Sequence, residues 1–292
     1  MARSVRGAQA GERGGAARHE GFLDYANRRY LRASLALSLV AILVYLLVDV
    51  TPRHNGGSWY GYVLGTVGAG LIVWLTLLGV RKRAMTPGRW SLKAWTSAHV
   101  YLGLSLIVIG TLHTGFQLGW NVHTLAYALM MFVILSGIYG IVAYASVPPA
   151  MSANRAETTQ AQMLETLRAL DRQLHDTAQP LGPAHAAIVR QSLENCDVAG
   201  GLYARLTARQ PRCGNRLALI QLREEMRKNP PDKEILAQLV FLLERKEATL
   251  AQARRHIRYK TLLEIWLYIH VPATFALLAA LVAHIVSVFF YW

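Results

Sequence analysis

Across residues 94–154 the chain has no Asp, Glu, Lys or Arg, a run of 61 positions without formal charge. The segments 31–48, 54–80 and 265–292 are nearly or wholly bare as well. A water-soluble domain of this size needs a charged surface along its whole length, so these gaps exclude an ordinary soluble fold. A bilayer core of about 30 Å asks for roughly 20 apolar residues per helix. Five stretches meet that demand, at 31–49, 58–80, 95–117, 122–145 and 262–290. The pattern predicts an all-α membrane protein with five transmembrane helices in contact with lipid.

Cysteine is almost missing. The two that occur, Cys196 and Cys213, do not begin a C-x-x-C-H sequence, which excludes covalent haem attachment. Two thiols are also too few to hold an iron–sulfur cluster alone. No Gly-rich phosphate loop, dinucleotide fingerprint or hydrolase triad occurs. The sequence "DVAGGLY" at 197–203 has no strand before it and reads as a helix end and turn.

Acidic residues are scarce too, 17 against 31 Lys and Arg, for a net charge of +14. No basic stretch is interleaved with base-stacking aromatics, so nucleic acid is not the expected partner. The charge instead orients the chain. The first 32 residues hold seven Arg and the 81–93 loop five Lys or Arg, whereas 50–57 has Arg53 alone and 117–121 none. The positive-inside rule then puts the N-terminus, that loop and 146–260 in the cytoplasm, and the C-terminus outside an inner membrane. "NRRYLRASLALSLV" at 27–40 loosely resembles a twin-arginine signal, but no small-residue cleavage site follows; a basic anchor is the reading adopted.

The expected organisation is a disordered basic tail at 1–30, four spans within 31–145, a cytoplasmic helical insertion at 146–260 and a fifth span within 261–292. Pro148 and Pro149 should end the fourth span. Apolar periodicity predicts insertion helices near 154–177, 184–196, 214–228 and 232–260, the last running unbroken into the fifth span. The insertion reads as a bundle that docks a partner. On the cytoplasmic side its cysteines are expected to be reduced, with a disulfide or redox pair as the alternative.

Against this apolar background four histidines stand out. His99 and His113 lie fourteen residues apart in the third span, and His270 and His284 are equally spaced in the fifth. Fourteen residues turn about 1400°, some 40° short of four full turns, and rise about 21 Å. Each pair therefore shares one helix face, one imidazole toward each membrane surface. Both spans run outward, so His99 matches His270 in depth and His113 matches His284. A single intramembrane His usually bonds a neighbouring helix; two matched pairs suit the axial ligation of two haems. Gly103 and Gly110, with Ala273, Ala276 and Ala280, would leave room for flat rings, although small residues also serve close helix packing.

This double spacing resembles the transmembrane domain of ferric reductases and NADPH oxidases, and is similar to the cytochrome b of quinol-oxidising complexes. Either resemblance implies two non-covalent b haems, one on His99 and His270, the other on His113 and His284. The chain departs from the oxidase pattern in having no sixth span, no flavin or nicotinamide domain, and some 110 extra residues before the fifth span. The expectation is an electron-carrying subunit of a larger complex, with redox partner proteins on one or both faces.

The first rival is a quinol-oxidising or quinone-reducing subunit, for which His123 and Glu264 are the protonatable candidates. A metal transporter and a signal transducer are further rivals; the first lacks mid-membrane acidic ligands and the second an output domain. Arg81, Lys82 and Arg83 either meet haem propionates or anchor the second span in headgroups.

Overall fold

The computed structural model describes residues 21–51, 54–83, 90–155, 159–210, 213–228 and 230–290, without the side chains at 145 and 147–155. The tail at 1–20, Arg53 and residues 84–89 of the basic loop lie outside the described residues. Every regular element among the described residues is a helix, and five are long and apolar enough to cross a membrane. They are α1 (Tyr25–Leu47), α2 (Trp59–Arg83), α3 (Leu92–Thr114), α4 (Val122–Arg155) and α9 (Lys233–Phe290). Between α4 and α9 lie α5 (Gln160–Ala178), α6 (Pro183–Glu194), α7 (Leu202–Thr207) and α8 (Gly214–Arg227). The chain forms two compact units, one up to Gly137 and again from Val271, the other Ile138–His270.

In the first unit α3 is the centre, packed against both α1 and α2. Its start is fixed by Ser91, whose Oγ accepts from the Ala94 N–H at 3.1 Å. Its end is fixed by Gly115, in the left-handed region at φ 57°, where a Cβ would also collide with the His54 carbonyl. Ile72 and Leu75 of α2, Leu106 of α3, Met130 and Ile134 of α4, and Leu277 and Leu281 of α9 form one buried cluster. A second joins Ala41, Tyr60, Leu64, Ile109 and Leu112, and the Tyr60 hydroxyl donates to the Ala41 carbonyl at 2.6 Å. Leu35, Leu39, Leu46 and Leu47 of α1 face outward instead. In water such a face would aggregate, whereas lipid accepts it, and the helix satisfies its own backbone there.

The second unit has a conventional core. A capping box starts α5, the Thr159 Oγ accepting from the Gln162 N–H at 3.2 Å while the Gln162 side chain takes the Thr159 N–H at 2.7 Å. Leu170, Leu174, Leu222, Leu236, Leu239 and Leu243 then meet in the interior. Lys246, 3 % exposed, reaches Asp171 at 2.7 Å and the Ser192 carbonyl at 2.8 Å, so its buried charge is paired and hydrogen-bonded.

Three expectations need correction. Pro148 and Pro149 do not stop α4, which continues to Arg155. A proline costs a helix the hydrogen bond to the carbonyl four residues back, and here that cost did not end the element. The break expected around "CDVAGGLY" contains the short helix α7. The two cysteines, expected reduced, form a disulfide between Cys196 and Cys213. The chain at Gly214 presses so close on the Gln191 carbonyl that a Cβ would not fit, and the Gly214 N–H donates to the Asn195 carbonyl at 2.9 Å. That contact brings the start of α8 against the end of α6. Conversely, the last helix runs unbroken into the fifth span, as expected from the sequence, and α9 also continues past Pro272.

The disulfide closes a loop across 17 positions, which by chain entropy stabilises the fold by about 3 kcal/mol. In cells quenched with acid, a membrane-permeant maleimide should therefore tag Cys196 and Cys213 only after reduction. Full tagging without reductant would show that the pair is open in the cell.

Candidate functional site: three histidines lining an apolar cavity

A cavity of about 1540 Å3 lies in the first unit, walled by α2, α3, α4 and the last part of α9. His113, His123 and His284 all line it, with Gly65, Gly68 and Gly110. Its walls are mostly apolar, set by residues such as Ile72, Leu106, Leu277 and Leu281. A site for a drug-sized ligand is commonly about 300–1,000 Å3, so this space admits a larger body.

His113 sits in the last turn of α3, held there by the Gly115 stop. Its Nδ1 lies 2.8 Å from the Gly61 carbonyl of α2. A carbonyl can only accept, so Nδ1 carries the hydrogen and the lone pair is left on Nε2. His99 likewise has its Nδ1 3.0 Å from a carbonyl of α2, that of Leu75. Gly61 and Leu75 are fourteen residues apart on α2, the spacing of His99 and His113 on α3. Two antiparallel helices thus repeat one contact at two levels.

His284 faces His113 across the cavity end, with ring centres 5.9 Å apart and planes at 82°. His123 stands beside His284, ring centres 4.6 Å apart, with the two Nδ1 atoms separated by 2.6 Å. Asn121 positions it, its Oδ1 accepting from the Thr124 N–H at 2.9 Å to start α4. Near this group Thr111 Oγ1 and the Tyr127 hydroxyl bond each other at 2.9 Å.

The expected residues are thus distributed as follows. His113 and His284 meet. His99 lies in the first unit and His270 closes the second, where its ring stacks on Trp266 with centres 5.3 Å apart. Trp266 in turn lies so close to Gly140 that a Cβ there would strike the indole. Gly110 lines the cavity and leaves room for the Met130 side chain, whereas the nearest side-chain atom to a Cβ on Gly103 would be Leu75 Cδ1 at 3.9 Å. Of the alanines expected to leave room, Ala280 is buried but Ala276 is exposed, and the cavity wall is made by Leu277 and Leu281. Glu264 pairs with Lys260 at 3.8 Å, in the second unit. The Arg81 guanidinium reaches the Trp90 carbonyl at 3.4 Å.

Sequence reasoning missed Gly65, whose Cβ would come within 2.8 Å of the His113 ring. The signal was present as the glycine series Gly61, Gly65 and Gly68 on one side of α2, readable as close helix approach but not as room for a particular ring.

Two imidazole nitrogens on opposite sides of one metal ion, each bonded at about 2.0 Å, put their ring centres roughly 6 Å apart. The His113–His284 separation fits that arrangement. Among the described residues no group of three or more His, Cys, Asp or Glu could hold a metal ion on its own. No family model, curated protein or solved structure matches this chain.

The two glycines on the histidine path should respond oppositely to alanine. Gly65→Ala pushes on a ring pinned by Gly61 and should destabilise the protein by about 1–3 kcal/mol. Gly103→Ala adds a methyl group in ordinary contact range and should be neutral or stabilising by roughly 0.5–1 kcal/mol. Thermal melting of the full chain in detergent reads both signs.

Proposed function

We propose that the chain is a membrane b-type cytochrome that carries electrons across an inner membrane through two bis-histidine haems, as a subunit of a larger redox complex. The observation that carries the proposal is the hydrogen-bonded state of His113 opposite His284. His113 spends its Nδ1–H on the Gly61 carbonyl, keeps the lone pair on Nε2, and faces a second imidazole at a ring separation of 5.9 Å. An ionisable side chain within a membrane span is a candidate functional group by default, and here two of them face each other on one cavity. By the equal spacing on the third and fifth spans, His99 and His270 would hold the second haem.

Haem, when bound, supplies the one-electron redox chemistry. The chain supplies the rest. His113 and His284 would ligate it; the Gly61 carbonyl holds the ring and tautomer of His113 and would raise its basicity as a ligand. Gly65 and Gly110 leave room at the cavity wall. Ile72, Leu106, Leu277 and Leu281 line the cavity with apolar surface, which would lower the local dielectric around a bound haem. Positive-inside charge puts the N-terminus and the insertion in the cytoplasm and His113, His123 and His284 toward the outer face.

Haem per protein, measured as pyridine haemochrome, tests the ligand set. His113→Ala and His284→Ala should each lose one haem and keep the same second centre in a redox titration; His99→Ala and His270→Ala should lose that second centre. Loss of the same centre from His99→Ala and His284→Ala would refute the pairing.

The sequence offers no dinucleotide fingerprint, so NADH and NADPH are expected to find no hydride acceptor on this chain. Mixed anaerobically with either nucleotide, the purified, flavin-free protein should keep its oxidised Soret band, while dithionite or a short-chain quinol should shift it. Rapid reduction by NADH would mean that the chain is a complete oxidoreductase.

A further inference from the structure

His123 is the imidazole that the two-haem reading leaves without a task, and it is in direct contact with a ligand. Its Nδ1 lies 2.6 Å from Nδ1 of His284, and the two ring planes stand at 88°. Two ring nitrogens at that distance share a single hydrogen, so one donates and the other accepts. We propose that His284 donates its Nδ1–H to His123, making His123 the positioning residue that fixes the tautomer, ring plane and basicity of one axial ligand. The inference rests on the proposed haem reading.

The direction of the bond follows from what each choice leaves on the far nitrogen. If His123 donated, the His284 lone pair would be used at Nδ1 and its hydrogen would sit on Nε2, closing the nitrogen that iron needs. If His284 donates, Nε2 is open, as on His113. The two ligands then have matching tautomers but different acceptors. His113 gives its hydrogen to a peptide carbonyl of α2 at 2.8 Å, and His284 gives its own to an imidazole of α4. A metal-bound imidazole almost always donates its second N–H to such a partner, and loss of the partner weakens binding or retunes the metal. His123 is itself held in place: Asn121 caps the first turn of α4, and Thr124 Oγ1 accepts from the Gly119 N–H at 3.0 Å.

Orientation is the second consequence. The His113 and His284 planes are at 82°. The plane of an axial imidazole sets which iron d orbital it overlaps, so near-perpendicular ligands leave two of these orbitals close in energy. Ferric iron between them gives a strongly anisotropic low-spin resonance, whereas parallel ligands give a rhombic one. His123, edge-on to His284, is the contact that keeps that ring from turning toward the plane of His113.

The test uses the full-length, haem-loaded protein and two substitutions, His123→Phe, which cannot accept, and His123→Asn, whose Oδ1 can stand where Nδ1 stood. In His123→Phe, His284 loses its acceptor and becomes a weaker donor to ferric iron. The midpoint potential of one haem should shift positive, and its resonance should lose anisotropy or split into several ring orientations. The other haem should be unchanged. His123→Asn should bring both readouts back toward the wild-type values. If His123→Phe drops that haem altogether, retention of it in His123→Asn with a near wild-type potential supports the same role. Unchanged potential and resonance in His123→Phe would overturn the proposal, as would a negative shift. Loss of the haem from both variants would make His123 a ligand and overturn it too. A wild-type protein without haem would instead refute the reading on which the proposal stands.

Discussion

A neutral imidazole in lipid has one N–H to satisfy, and in this chain a backbone carbonyl of the adjacent helix does so. His113 to Gly61 and His99 to Leu75 are the same contact made twice, fourteen residues apart along antiparallel helices. The register between α2 and α3 and the chemical state of the two rings are therefore one constraint. Sliding α3 by one residue would lose both acceptors and turn both rings off the common face. The glycines of α2 follow from it, because a carbonyl can meet a ring on the next helix only where the backbones approach closely. Gly65, opposite the His113 ring, marks that approach.

Much of the fold was legible because the bilayer leaves few choices. All five spans, the polar turn at 117–121 and the unbroken α9 follow from run length and charge, whereas the prolines at 148 and 149 misled. The helices between the fourth and fifth spans were readable from periodicity, closely for α6, α8 and the start of α9 but six residues early for the start of α5; α7 is too short to show a period. The meeting of His113 with His284 came from depth matching, an argument that needs only residue counts. The acceptors did not show, because every helical residue offers a carbonyl and sequence does not say which one a ring will find. Nor did the role of His123, which a helix start brings beside His284 from 161 positions away. The alanine series on the fifth span misled, since the wall of the cavity is built by Leu277 and Leu281.

The cysteines show how charge and redox chemistry inform different questions. Lys and Arg bias which side of the membrane a loop occupies, whereas a disulfide reports the chemistry of the two thiols once folded. Arg254 lies against the pair, one Nη 3.3 Å from Cys213 Sγ and 3.5 Å from Cys196 Sγ. A guanidinium there would stabilise thiolates as well as pack on the disulfide. The buried Lys246 with Asp171, and Asn215 bonded to Ser192 and Glu247, tie the surrounding helices together whichever state the sulfurs adopt.

The central claim is that these histidines hold haem iron with imidazole on both sides. The most direct measurement is the visible spectrum of the purified, full-length protein, oxidised and then reduced with dithionite. The account predicts a Soret band that sharpens and shifts on reduction, with the paired α and β bands of six-coordinate, low-spin b haem. A colourless protein, or a reduced spectrum of high-spin, five-coordinate haem, would contradict it.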